Sequence, residues 1–97
     1  MKLTDYREGL LERLRDPEYA AGYLATVLDE ESPTAFLIAL RDVVDARREN
    51  LSALADRADV TRQTLYQVFS KDGNPRFSTI TQLLKSLGLQ LSVDVGR

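Results

Sequence analysis

The sequence predicts an all-α fold with one short strand at its C-terminal end, and three observations carry that expectation. Apolar residues recur three and four apart through most of the chain. Most of these stretches open on a residue that caps helices, and two of them have proline in the first turn. The segment Leu54 to Phe69 reads as two short helices hinged by a three-residue turn.

Taken in order, Asp5 followed by Glu8 reads as a capping-box pair, with Tyr6, Leu10, Leu11 and Leu14 on one face of the helix behind it. Asp16-Pro17-Glu18 supplies a cap, a first-turn proline and a first-turn acid for a second helix bearing Ala20, Tyr23, Leu24, Val27 and Leu28. Asp29-Glu30-Glu31 closes it, because three carboxylates oppose the negative end of the helix dipole. Ser32-Pro33 opens a third helix with Phe36, Leu37, Leu40, Val43 and Val44 as its stripe, and Arg47 and Arg48 suit its end. Asn50 caps a helix from Leu51 to about Ala58. Asp59-Val60-Thr61 forms the turn, and Thr61 caps a helix from Arg62 to about Phe69 or Ser70. Lys71 to Pro75 is a dense turn signal. Ser78 is expected to cap a last helix carrying Ile80, Leu83, Leu84 and Leu87, which Gly88 ends. The tail then changes period: Leu89, Leu91, Val93 and Val95 alternate with polar residues, as in a strand. No second strand pattern is visible, so this strand is expected to pair with another chain or to fray.

Composition limits the functions open to the chain. With 97 residues it has room for a single small core. It contains no cysteine and no histidine, which removes disulfides, the commonest general base and the usual zinc ligands. The carboxylates Asp29, Glu30 and Glu31 are the best catalytic candidates, but no phosphate-binding loop or nucleophile accompanies them, and an acidic loop is the expected role. No enzyme, no metal and no cofactor is expected. No apolar run approaches the roughly 18 residues needed to cross a bilayer, and the N-terminus lacks a signal-peptide core, so a cytoplasmic protein is expected. Net charge is −2, but unevenly spread. Residues 1–50 hold seven basic and eleven acidic side chains, whereas residues 51–97 hold six basic and four acidic.

The hinged pair of helices has the layout of a helix-turn-helix, whose second helix lies in the DNA major groove. Leu54, Ala55, Val60, Leu65 and Val68 are its core candidates. Arg62, Gln63, Tyr66, Gln67 and Ser70 are left outside. Arginine can bridge guanine O6 and N7, and glutamine can bridge adenine N6 and N7. Ser52, Thr61, Asn74 and Arg76 are candidates for phosphate contacts, which position without specifying.

Read with its flanks, the chain resembles a known group. Asp16-Pro17-Glu18-Tyr19-Ala20, Phe36-Leu37-Ile38-Ala39-Leu40-Arg41-Asp42-Val43, the helix-turn-helix, Gly73-Asn74-Pro75-Arg76-Phe77 and Leu84-Lys85-Ser86-Leu87-Gly88-Leu89 are similar to segments of the small addiction-module antidote proteins of bacteria. The resemblance implies a DNA-binding domain of the phage-repressor (Xre/HigA-like) type. It also implies an antitoxin that neutralises a RelE/ParE-like toxin and represses its own operon. Asp59 departs from the pattern, standing where many relatives have glycine. Aspartate tolerates the left-handed backbone at some cost and adds a negative charge beside the DNA face. The expected organisation is one domain over residues 1–97, with N-terminal helices to 49, the helix-turn-helix and following helix over 50–88, and a strand over 89–95. Two-fold pairing on a palindromic double-stranded operator is expected, with Leu89, Leu91, Val93 and Val95 as the homodimer seam. Two alternatives stand beside this reading: a phage-type regulator with no toxin, and a protein-interaction module that does not bind DNA.

Overall fold

Helix caps and apolar stripes set the architecture, which among the described residues is a set of six packed helices. The computed structural model describes residues 3–30 and 32–96; Glu31, the last of the three acids expected in the loop, lies outside the described residues. In chain order the helices are α1 (Leu3–Leu14), α2 (Pro17–Asp29), α3 (Pro33–Ala46), α4 (Leu51–Ala58), α5 (Arg62–Val68) and α6 (Phe77–Ser86).

Four caps form through the side chains named from the sequence. Asp16 accepts from the Glu18 amide, Ser32 from Ala35, Asn50 from Ala53 and Thr61 from Thr64. Each satisfies an amide that the first turn leaves without a helical partner. Two expected caps are corrected. The first helix begins at Leu3, so Asp5 is a first-turn acid and not a cap. The last begins at Phe77, with Arg76 as the extended cap residue making no side-chain cap bond. Ser78 therefore lies inside the helix.

The expected C-terminal β-strand is absent among the described residues, where the tail after Leu89 has no regular structure. The seam expected at Leu89, Leu91, Val93 and Val95 therefore has no strand to form it as a ladder. Leu89 is partly buried against the core, and its amide bonds to Leu84 O at 2.8 Å, closing α6 together with Gly88 at φ +78°. Val93 and Val95 stand exposed. Alternation gives an extended chain two distinct sides, but a strand also needs ladder partners, and the tail has none among the described residues.

One core joins the N-terminal helices to the rest. Leu14, Leu40, Val43, Leu54, Leu65, Leu83 and Leu87 are fully buried, drawn from α1, α3, α4, α5 and α6 and the residue that follows it. A polar clamp fixes α1 and α2 on α3. Asp42, buried in the apolar stripe of α3, accepts from Arg7 Nη1 at 2.9 Å and from the Tyr23 hydroxyl at 3.1 Å. Arg7 also donates to Asp45, which receives Arg41 Nε as well. A buried carboxylate is tolerated here because both of its oxygens are bonded. The hydrogen bond to Asp42 holds the Arg7 guanidinium above its ordinary pKa, and burial with the same carboxylate pushes the Tyr23 phenol up.

The far end of α6 is held by two guanidinium groups. Arg47 donates to Leu87 O at 2.6 Å and Arg57 to Ser86 O at 3.1 Å, satisfying carbonyls that the helix end leaves free. Arg57 also pairs with Glu49 at 2.6 Å, and that bond draws the Glu49 carboxyl below its usual range.

Candidate nucleic-acid interface

The helices α4 and α5 begin where the sequence places them and α4 ends at Ala58 as expected, whereas α5 stops at Val68, short of the Phe69 or Ser70 expected, with Phe69 as its C-cap. Leu54, Ala55, Leu65 and Val68 are buried, and Val60 is partly buried against the same core. Asp59 adopts the left-handed conformation, φ 57° and ψ 42°, and its amide closes α4 on Ala55 O and Asp56 O. Glycine reaches this conformation freely, whereas aspartate does so at some cost.

All eight proposed contact residues, Ser52, Thr61, Arg62, Gln63, Tyr66, Gln67, Asn74 and Arg76, are exposed. On α5 the positions 63, 66 and 67 follow the three-and-four spacing of one helical face, and Ser70 lies just beyond the helix end. Arg62 folds back along it, donating to the Tyr66 hydroxyl at 3.3 Å with its guanidinium 5.7 Å from the ring centre. That pairing orders both side chains along the outer edge of the helix. Thr61 has less freedom than expected. Its hydroxyl lies 3.0 Å from the Thr64 amide and 2.8 Å from the Thr64 hydroxyl, so its first role is the cap.

Four of the eight come together. Thr61, Gln67, Asn74 and Arg76 line an open groove of about 950 Å³ between α5 and the start of α6. Ser52, Arg62, Gln63 and Tyr66 are not part of it. Thr64, Ser78 and Gln82 also line the groove and were missed in the sequence. Gln82 sits one helical turn after Ser78, and that spacing marks one face of α6. Arg76 is the base in the lining, against Asp59 and Asp72. The groove is thus polar but not strongly positive, and any attraction for a phosphate backbone rests on few cations.

The loop that carries Asn74 and Arg76 is fixed by Gly73. Its amide donates to Ser70 O at 3.0 Å, and its α-carbon lies so near the end of α5 that a methyl group would meet the carbonyls of Gln67 and Val68. The Gly-Asn-Pro-Arg-Phe segment is therefore a backbone-to-backbone joint that aims Asn74 and Arg76 at the edge of the groove.

Among the described residues no group of His, Cys, Asp or Glu could hold a metal ion, and no helix is long and apolar enough to cross a membrane. No solved structure is significantly similar to the chain. A protein of Haemophilus influenzae that carries no functional description is 37% identical over 86 residues, covering 89% of this chain and 87% of its own length. The family model described as "Probable addiction module antidote protein" matches residues 7–95. The chain belongs to that family of addiction-module antidote proteins.

Proposed function

We propose that the protein is the antitoxin of a type II toxin–antitoxin module, which neutralises a RelE/ParE-like toxin and, as a homodimer, represses its own operon by binding a DNA operator. The observation that carries the DNA-binding part is the outer face of α5. Arg62, Gln63, Tyr66 and Gln67 are all exposed on the second of two helices joined by a tight capped turn, and no acid stands among them. Gln63 and Gln67 read base edges, while Arg76 contacts the backbone from the loop. Membership of an antidote family supports the toxin as partner.

Mobility shifts on the chain's own upstream DNA test this reading. Gln63→Ala should cost about 1–3 kcal/mol on the cognate site and relax one position. Arg76→Ala should weaken all sequences alike and reduce the salt slope by roughly one ion. Uniform weakening by both substitutions would remove the assignment, and no shift with wild type would favour the interaction module.

The toxin is proposed to dock on α1, where Asp5, Glu8 and Glu12 are exposed and would steer a basic ribonuclease face. Deleting α1 and α2 is a poor test, because Leu14, Ala20 and Leu24 belong to the core. Glu8→Lys with Glu12→Lys should slow association with the co-expressed toxin and leave the fold intact. Unchanged association would exclude this surface.

A further inference from the structure

The two ends of α5 are secured unequally. Thr61 caps its start, and Gln63 stands in that first turn. Its other end, where Gln67 stands, has no comparable device. The helices α3, α4 and α6 close on or beside a residue with left-handed backbone, Arg48, Asp59 and Gly88 in turn. Among the described residues α5 has none: its cap residue Phe69 has φ −95° and ψ 8°, and no basic side chain stands in its last turn. A helix of seven residues holds few internal bonds, so the loss of one turn is a large share of it.

Arg41, from α3, supplies what this end lacks. Its guanidinium carbon lies 5.3 Å from the centre of the Phe69 ring. Phe69 is partly buried against the core, and its amide donates to Leu65 O at 3.2 Å. A cation over a ring face is attracted to it, and this one also brings positive charge to the end of a helix where the dipole is negative. The guanidinium is itself anchored. Its Nε donates to Asp45 Oδ1 at 2.9 Å, while Arg7 of α1 holds Asp45 Oδ2 at 3.1 Å. Lys71 borders the same hollow of about 310 Å³ between α3 and the end of α5, but the cation over the ring is that of Arg41.

We propose that Arg41 is a positioning residue for DNA reading: through Phe69 it holds the last turn of α5 and so aims Gln67. The proposal rests on the assignment of α5 as the base-reading helix. Arg41 acts on the base contact through the ring and makes no contact with DNA itself.

Arg41→Met keeps the aliphatic stem and removes the cation. Mobility-shift titrations of the full chain on its own upstream DNA should show affinity falling about two- to five-fold, as one partly exposed cation–π contact supplies. The loss should fall on the base pair that Gln67→Ala identifies and spare the one that Gln63→Ala identifies, a split that a general loss of stability does not produce. Phe69→Leu should act alike, and the double variant should bind no more weakly than either single one. Arg41→Lys, which returns a cation to the ring, should recover most of the affinity. In the free protein, exchange of the Phe69 amide should quicken about two- to five-fold with Arg41→Met. Exchange of the Leu65 amide, bonded to Thr61 O in the first turn, should not change. Uniform weakening with a salt slope lower by roughly one ion would overturn the proposal and make Arg41 a phosphate contact. Additive effects of Arg41→Met and Phe69→Leu would overturn it too, as would a Phe69 amide indifferent to Arg41→Met. Faster exchange at Phe69 alone, with no DNA bound by wild type, would leave the hold on α5 standing and remove only the DNA reading.

Discussion

Replacing Gly73 with alanine puts a methyl carbon 2.7 Å from Gln67 O and closer still to Val68 O. Both are main-chain atoms at the end of α5, so no side chain can rotate away. Either the loop retreats by about 1 Å or the last turn of α5 opens. The first outcome strains or breaks the bond from the Gly73 amide to Ser70 O; the second disturbs Gln67 O, which accepts from the Ser70 amide and hydroxyl. Overpacking of this kind costs about 1–3 kcal/mol, and one lost hydrogen bond adds about 1 kcal/mol. A loss of about 2–4 kcal/mol is therefore expected. For a domain of this size that lowers the melting temperature by roughly 10–25 °C. Gly22→Ala is the internal control: nothing lies within 4 Å of a β-carbon there, and the position is mid-helix in α2, so it should gain about 0.5–1 kcal/mol. Thermal and urea melts of the two variants decide the matter. If Gly73→Ala melts within two or three degrees of wild type (about 0.5 kcal/mol), the joint is not tight and the reasoning fails. DNA affinity should fall with Gly73→Ala even at temperatures where it is folded, because the loop carrying Asn74 and Arg76 has moved.

Asp59→Gly should raise stability by up to about 1 kcal/mol while Asp59→Ala lowers it, since only glycine is free at a positive φ; equal melting of the two would refute the backbone argument. Asp59→Gly should also tighten DNA binding, by a margin that shrinks with added salt in a mobility-shift titration. Tyr23→Phe removes a donor to a buried carboxylate and should cost about 1–3 kcal/mol in urea melts without changing DNA affinity. The Glu49 carboxyl titrates lower in the fold than in the unfolded chain, through its bond from Arg57. Its stabilisation is thus present above the unfolded value, about 4.3, and is lost as pH falls through the folded value. Melting curves of wild type and Glu49→Gln should differ near neutrality by less than about 1 kcal/mol, as for a partly exposed pair, and should converge in acid.

What was legible in the sequence was the chemistry of neighbours along the chain. Asp16, Ser32, Asn50 and Thr61 cap their helices because the amides they serve lie two or three residues away. Asp5 misled because an acid in the first turn and an acid at the cap look alike in sequence, and both favour the helix start. The tail misled for a different reason. Alternation at Leu89, Leu91, Val93 and Val95 specifies two faces, while a strand is made by a partner that no local pattern reveals. The clamp on Asp42 was equally hidden: Arg7, Tyr23 and Asp42 come from three helices, and an aspartate between Leu40 and Val43 gave the one trace of it. For the candidate site, exposure along α5 followed from its period, but the groove with α6 did not. It depends on how closely Gly73 brings the loop to α5, and only the packed backbone shows that.

The way α1 is attached sets how it comes loose. Its buried side chain is Leu14, at its last position, while residues 3 to 8 are exposed. The first two turns are therefore tethered mainly by the Arg7 guanidinium on Asp42 and Asp45. Arg7 is about half exposed, so its attraction is weakened by mobile ions to a degree that packed methyl groups are not. Added salt should loosen the front of α1 well before it affects the core, and amide exchange there should quicken while that of α3 stays slow. Ionic strength thus acts as a dial on how much of this helix a protease finds unwound.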